Sequence, residues 1–190
     1  MIAKTGAIMI WHWAHEQENS DCPYAGEGAW HLSWKARGLP GTQEIRSPDF
    51  LRRADVLSPA GFAIEFQHSS LTWDEVRARE LDWQYRLCWV FDARRKYRAG
   101  LIEQYHDEEG DWLVWPNLPA MVRAARCRAF LDLGRGSLWY VDYYIRDDGE
   151  SGLDYVHGFL TTEDAVVRNV LHAKNTIATA AMSLRMDLWQ

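Results

Sequence analysis

Asp55 and Glu65 sit on the two arms of a segment, Arg52 to Gln67, whose pattern is that of a β-hairpin. The second arm alternates, with Phe62, Ile64 and Phe66 on one face and Ala63, Glu65 and Gln67 on the other. Pro59-Ala60-Gly61 suits a three-residue loop, a type I turn closed by a left-handed residue that glycine adopts without strain. That loop sets Ser58 opposite Phe62, Val56 opposite Ile64 and Asp55 opposite Glu65, and directly opposed residues share a face. Asp55, Glu65 and Gln67 then lie together with Arg53 beside Gln67, while Ala54, Val56, Ile64 and Phe66 form the apolar side. A four-residue loop would shift the pairing and separate the carboxylates. Like charges across a strand pair are destabilising, and a hard divalent cation offsets them with oxygen ligands. Such an ion polarises a phosphoryl oxygen and acidifies a bound water for in-line attack. The alternative is a wet sheet face with Arg53 as counter-ion.

Other candidates surround this pair. Glu27, His31 and Lys35 recur every four residues and therefore share one drifting helix face. They read either as an extension of the site, with Glu27 in the metal shell and His31 or Lys35 toward a phosphate, or as a solvated, salt-bridged face. Glu44 lies on a strand close enough to approach the site, with its face undetermined. His12, His15, Cys22 and His31 are ligand types that zinc accepts, but their spacing matches no standard zinc module. Arg52, Arg53, Arg77 and Arg79 flank the site, and Arg94 to Arg98 follow its last strand. They would contact phosphates without reading sequence, or pair with Asp74, Glu75, Glu80 and Asp82 nearby.

The elements that must position these groups follow from periodicity and turn chemistry. A strand near Ala7 opens the chain, and a helix is expected from about Gly26 to Arg37, ended by Gly38 and Pro40. Extended segments follow at Gln43–Arg46, Leu51–Leu57 and Phe62–Gln67. Thr72 and Glu75 form a capping box that starts a helix running to about Tyr85. The apolar run 87–91 reads as a buried strand, giving the order α-β-β-β-α-β. Next come a basic linker, Asp92 to Arg98, and an acidic, loop-like stretch through Asp107, Glu108, Glu109 and Asp111. A second hairpin is expected at Ala129–Leu133 and Leu138–Ile145 around Gly134 and Gly136. A turn at Asp147–Gly149, a short strand near Tyr155–Leu160 and a helical segment from Thr162, broken once at most, complete the chain. The organisation expected is a core over residues 1–98 with a C-terminal α+β extension over 99–190 packed on it, or one domain throughout.

Composition sets limits on function. The chain has 190 residues, 47% of them hydrophobic, which suffices for a sizeable core. A net charge of -6 argues against binding nucleic acid by overall charge alone. It leaves room for a site where a bound ion supplies the positive charge. Eleven tryptophans are many for this length, and most should be packing residues. Cys22, Cys88 and Cys127 are few, odd in number and widely spaced, so no disulfide framework is implied, and Cys88 reads as a buried hydrophobe. No run approaches a transmembrane span, so a cytoplasmic protein with no membrane partner is expected.

The strings Arg53-Ala54-Asp55-Val56 and Ile64-Glu65-Phe66-Gln67-His68-Ser69 resemble the RADV…IEFQxS signature of the competence protein CoiA family. That family is similar to the PD-(D/E)XK nucleases, with E-x-Q in place of E-x-K. The helix with Arg79, the strand Trp89-Val90-Phe91-Asp92, the segment His12-Trp13-Ala14-His15 and the Glu27…His31…Lys35 helix resemble it too, over about residues 10–95. The resemblance implies a restriction-endonuclease-like αβββαβ core, a mixed sheet flanked by helices, that hydrolyses DNA phosphodiester bonds with Mg²⁺ or Mn²⁺. It implies Asp55, Glu65 and Glu27 as metal ligands. Gln67 stands where a lysine is usual and supplies no positive charge, so either it only orients the water or another cation, Lys35 being one candidate, does the electrostatic work. DNA contacts would come from Arg52, Arg53, His31, Arg77 and Arg79. The setting implied is DNA uptake and recombination, with a recombinase as a further partner, or a defence system. A catalytically weak DNA-binding or recombinase-adaptor protein that keeps the fold is the competing reading.

Overall fold

A computed structural model describes residues 28–47, 52–146 and 152–174, together with the backbone of strands β1 (Ile2–Gly6) and β2 (Met9–Ala14). β1 and β2 pair with each other in an antiparallel ribbon. The next elements are α1 (Ala29–Lys35), β3 (Gln43–Arg46), β4 (Arg53–Leu57), β5 (Ala63–Gln67), α2 (Trp73–Asp82) and β6 (Leu87–Asp92). This is the α-β-β-β-α-β order anticipated from pattern. Then follow α3 (Arg94–Arg98), β7 (Glu103–Asp107), β8 (Gly110–Pro116), α4 (Ala120–Ala124), β9 (Arg128–Gly134), β10 (Ser137–Arg146), β11 (Leu153–Thr162) and α5 (Glu163–Val166). α5 continues into a π-helical turn over Val167–Leu171.

The architecture is a mixed α/β fold around one nine-stranded sheet in the order β3-β4-β5-β6-β9-β10-β11-β8-β7. β5, β6 and β9 run parallel, and all other neighbours are antiparallel. The parallel β6–β9 pairing carries the sheet continuously across residue 98. β6 is apolar on both faces, as a central parallel strand must be: Leu87, Trp89 and Phe91 join one core layer and Cys88 and Val90 the other. The first layer lies under α2 and α4, with Val76, Trp83, Met121 and Val122. The second lies under α1 and α5, with Trp30, Trp34, Ala165 and Val166. Seven of the eight tryptophans in the fully described segments are buried; Trp73 is exposed.

Four expectations are corrected. α1 is shorter than 26–37 within the described residues. The basic run after β6 forms a helix, α3, packed on β9, because Ala93 N–H bonds the Asp132 carbonyl and starts a turn there. The acidic stretch is a hairpin, β7–β8: Asp107 accepts from the N–H groups of Glu109 and Gly110 and from Trp112 Nε1, which closes the turn. β11 is ten residues long, since it pairs with β10 over Asp154–Thr162 and with β8 over Leu153–Gly158. α4 had no periodic signal in its five residues. The turn expected at Asp147–Gly149 and the end of the C-terminal helical segment lie outside the described residues. Among the described residues no helix is long and apolar enough to cross a membrane.

Candidate active site

The β4–β5 loop closes as its residues dictate. Gly61 adopts φ +78°, its N–H bonds the Ser58 carbonyl, and Ser58 N–H bonds the Phe62 carbonyl at 2.9 Å. Val56 opposes Ile64 and Leu57 opposes Ala63. The expected apolar face is not kept, however, because Ala54 packs in the layer of Ala63 and not with Val56, Ile64 and Phe66. The register, continued, would set Asp55 across from Glu65. There the paired ladder ends. In register, Phe66 N–H would bond the Ala54 carbonyl, but it donates instead to Asp55 Oδ2 at 2.8 Å. The Asp55 carboxylate thus enters between the strands and parts them where the two acids meet.

Each acid has a basic partner from a different helix. His31 Nε2 of α1 lies 2.8 Å from Asp55 Oδ2. Arg79 Nη1 of α2 donates to Glu65 Oε2 at 2.9 Å. Glu65 is only 6% exposed, and its pKa rises to about 7. Burial is the main cause and the Asp55 charge adds to it, while Arg79 and His31 act the other way. Asp55, Glu65, His31 and Arg79 therefore form one electrostatic group at the carboxyl end of β5. Open α/β sheets present their binding crevices at that edge.

Gln67 follows on the face of Glu65 and is 7% exposed. Its Nε2 donates to the Ser69 carbonyl (2.6 Å) and to Ser69 Oγ (3.0 Å), which leaves Oε1 as its remaining acceptor. Lys35 pairs with Glu44, and Glu44 also holds Arg53, at the sheet's β3 edge. Arg52 bonds Asp82 (2.7 Å) and Arg77 lies 3.3 Å from Glu80. The flanking arginines are thus engaged with carboxylates. Glu27 and the side chains of His12, His15 and Cys22 lie outside the described residues.

Two groups at this edge had no weight in the sequence reading. His68, beyond Gln67, is exposed and holds Asp92 Oδ2 at 2.9 Å through Nδ1. Asp92 also takes a two-pronged bond from Arg94, Nε and Nη2 each at 2.8 Å. Burial pushes the Asp92 carboxyl up, but these hydrogen bonds outweigh it and hold it below the usual range. Asp132, at the matching level of β9, accepts from both Trp30 Nε1 (2.7 Å) and Trp34 Nε1 (3.0 Å) and so fixes α1 over the sheet. In the sequence reading Asp92 and Asp132 stand without a role, as the ends of the strings Trp89-Val90-Phe91-Asp92 and Phe130-Leu131-Asp132 that resemble the family.

Two of the donors present are of the type a divalent cation takes, and each already has a protein partner. Asp55 and Glu65 offer the hard oxygens that Mg²⁺ and Mn²⁺ prefer. The raised Glu65 pKa comes chiefly from burial, with the Asp55 charge adding to it, so a bound cation would favour the charged form. Among the described residues no three His, Cys, Asp or Glu side chains group as a complete metal cage. Cys88 and Cys127 are free thiols pushed up to about 12, chiefly by burial, and so are poor ligands. Comparison with known protein families, curated proteins and solved structures finds no match to this chain.

Proposed function

We propose that this chain is a Mg²⁺- or Mn²⁺-dependent nuclease of CoiA-like, PD-(D/E)XK type that hydrolyses DNA phosphodiester bonds. The observation that carries the reading is the β4–β5 register, which brings Asp55 and Glu65 into mutual electrostatic contact inside an α-β-β-β-α-β arrangement. Asp55 and Glu65 would hold the ion, with Glu27 as the third ligand the resemblance implies. The ion, when bound, supplies Lewis acidity and an acidified water. Gln67 presents Oε1 to orient that water. Arg79 supplies positive charge beside Glu65 in place of a lysine at position 67. DNA uptake, recombination or defence is the setting the motif suggests, with a recombinase as a further partner.

A second reading has an observation in its favour. The Gln67 amide hydrogens are turned to Ser69 and Glu65 is bound by Arg79, so the catalytic groups are already engaged. This suits a DNA-binding or recombinase-adaptor protein that keeps the fold with little catalysis. Incubating the purified chain with single- and double-stranded DNA, in Mg²⁺ or Mn²⁺ against EDTA, separates the two. Cutting that needs metal and is lost in Asp55→Ala and Glu65→Ala supports the nuclease. Tight binding without cutting in any metal supports the adaptor, and cutting that survives both substitutions removes these residues from the site.

A further inference from the structure

A cavity of about 750 Å³ opens between α3, the β9–β10 turn and β7, on the sheet face that also carries Glu65 and Gln67. Leu133 and Leu160 give it apolar walls, Tyr97 a ring, and Gln104 and Ser137 neutral hydrogen-bonding groups. Its charges are Arg98 and Arg135. Among the described residues neither arginine forms a salt bridge, whereas Arg52, Arg53, Arg77, Arg79 and Arg94 each hold a carboxylate. The cavity therefore has two available guanidinium groups in a chain that is acidic overall.

The turn that presents Arg135 is unusual for a side chain of this kind. Gly134, Arg135 and Gly136 adopt φ of +88°, +56° and +78° in succession. Glycine suits all three positions, and a residue with a Cβ is disfavoured at the middle one. Glu44, Gln84, Tyr85 and Asn117 share this left-handed backbone, so what distinguishes Arg135 is its place in the cavity lining beside Arg98.

We propose that this cavity binds a phosphate-bearing nucleotide unit of the nucleic-acid strand, with Arg98 and Arg135 on the phosphate and Tyr97 against the base. Guanidinium groups match phosphate oxygens in forked geometry, and aromatic rings stack on unpaired bases. From β5 to β9 are two inter-strand steps, and Leu133 lies four residues beyond the level of Glu65. The cavity is therefore on the order of 15 Å from the carboxylate pair, a few nucleotides along a strand. That the nucleotide belongs to a substrate rests on the nuclease reading; the anion chemistry of the cavity does not.

The test is fluorescence anisotropy of the full chain with a short 5′-phosphorylated oligothymidine in EDTA, with thymidine monophosphate and inorganic phosphate as competitors. Arg98→Ala and Arg135→Gly are each expected to weaken binding about tenfold, the loss of one charge-assisted contact. The slope of log affinity on log salt should fall by about one per arginine. Arg135→Gly should melt no lower than the parent chain, because glycine relieves the turn, so its loss of binding is not a loss of fold. Wild-type affinity in the double variant overturns the proposal. Displacement by inorganic phosphate as effective as by thymidine monophosphate overturns the nucleotide assignment. Cutting assays on the parent chain and the double variant separate this idea from its premise. Arginine-dependent binding with no cutting by the parent chain keeps the cavity and rejects the nuclease; cutting by the double variant at the parent rate and affinity does the reverse.

Discussion

Glu65 makes the charge of the site depend on pH close to neutrality. Its carboxyl goes from 4.5 to about 7 on folding, so between those values the folded chain keeps a proton that the unfolded chain has released. Stability then falls as pH rises through that window, and the full cost is present above it. Glu65→Gln should raise unfolding free energy at pH 8 by on the order of 1–3 kcal/mol, with the gain vanishing near pH 4. Urea denaturation at both values checks this, and an equal loss at both would show that burial does not strain the charged form. Gln67 gives a second test. In the nuclease reading Gln67→Lys restores the missing charge and should speed metal-dependent cutting at least tenfold; a variant as inert as its parent speaks for the adaptor. At this scale the sequence disclosed the register, because Pro59-Ala60-Gly61 leaves the loop little choice. It did not disclose the turn of Asp55 into the ladder, the reach of Arg79 from α2, or the His68–Asp92 contact. Each depends on how strands and helices from distant parts of the chain stack.

Among the elements, α2 is tied down by a buried polar side chain as well as by Val76. Glu80 is fully buried, and its Oε1 accepts from Trp89 Nε1 (3.2 Å) and from the N–H groups of Arg126 and Cys127 (2.8 Å each), with Arg77 on its other oxygen. Glu80→Ala would take the acceptor from four donors, of which Arg77 keeps the Ala124 carbonyl, and should cost roughly 3 kcal/mol. Asp82→Ala removes the half-exposed pair with Arg52 and should cost under about 1 kcal/mol. Chemical denaturation of the two variants side by side measures the difference. The capping box at Thr72 was legible and is present in full, with Thr72 and Glu75 each bonding the other's backbone N–H. β7 was not legible. Four of its five residues are exposed, so it has no alternation of buried and exposed positions to reveal it. It is a strand because β8 offers it a ladder, a fact that resides in the partner.

For the molecule as a whole, composition foretold a tryptophan-rich core but not the strand order. β6 lies between β5 and β9, and its first five residues are buried. A fragment ending at residue 98 would expose the apolar β6 edge that β9 covers. Such a fragment should be recovered as aggregate while the full chain stays monodisperse, as size-exclusion chromatography would show; a well-folded monomeric fragment would mean that β6 needs no second neighbour. The strand order also governs the timing of assembly. β7 and β8 precede β9 in the chain, yet β8 joins the sheet only through β11. A chain emerging from the ribosome therefore holds a finished hairpin with no place to dock until residues 153–162 have been made. The earlier hairpin is among the last pieces to be incorporated, and a folding catalyst or chaperone would find it waiting.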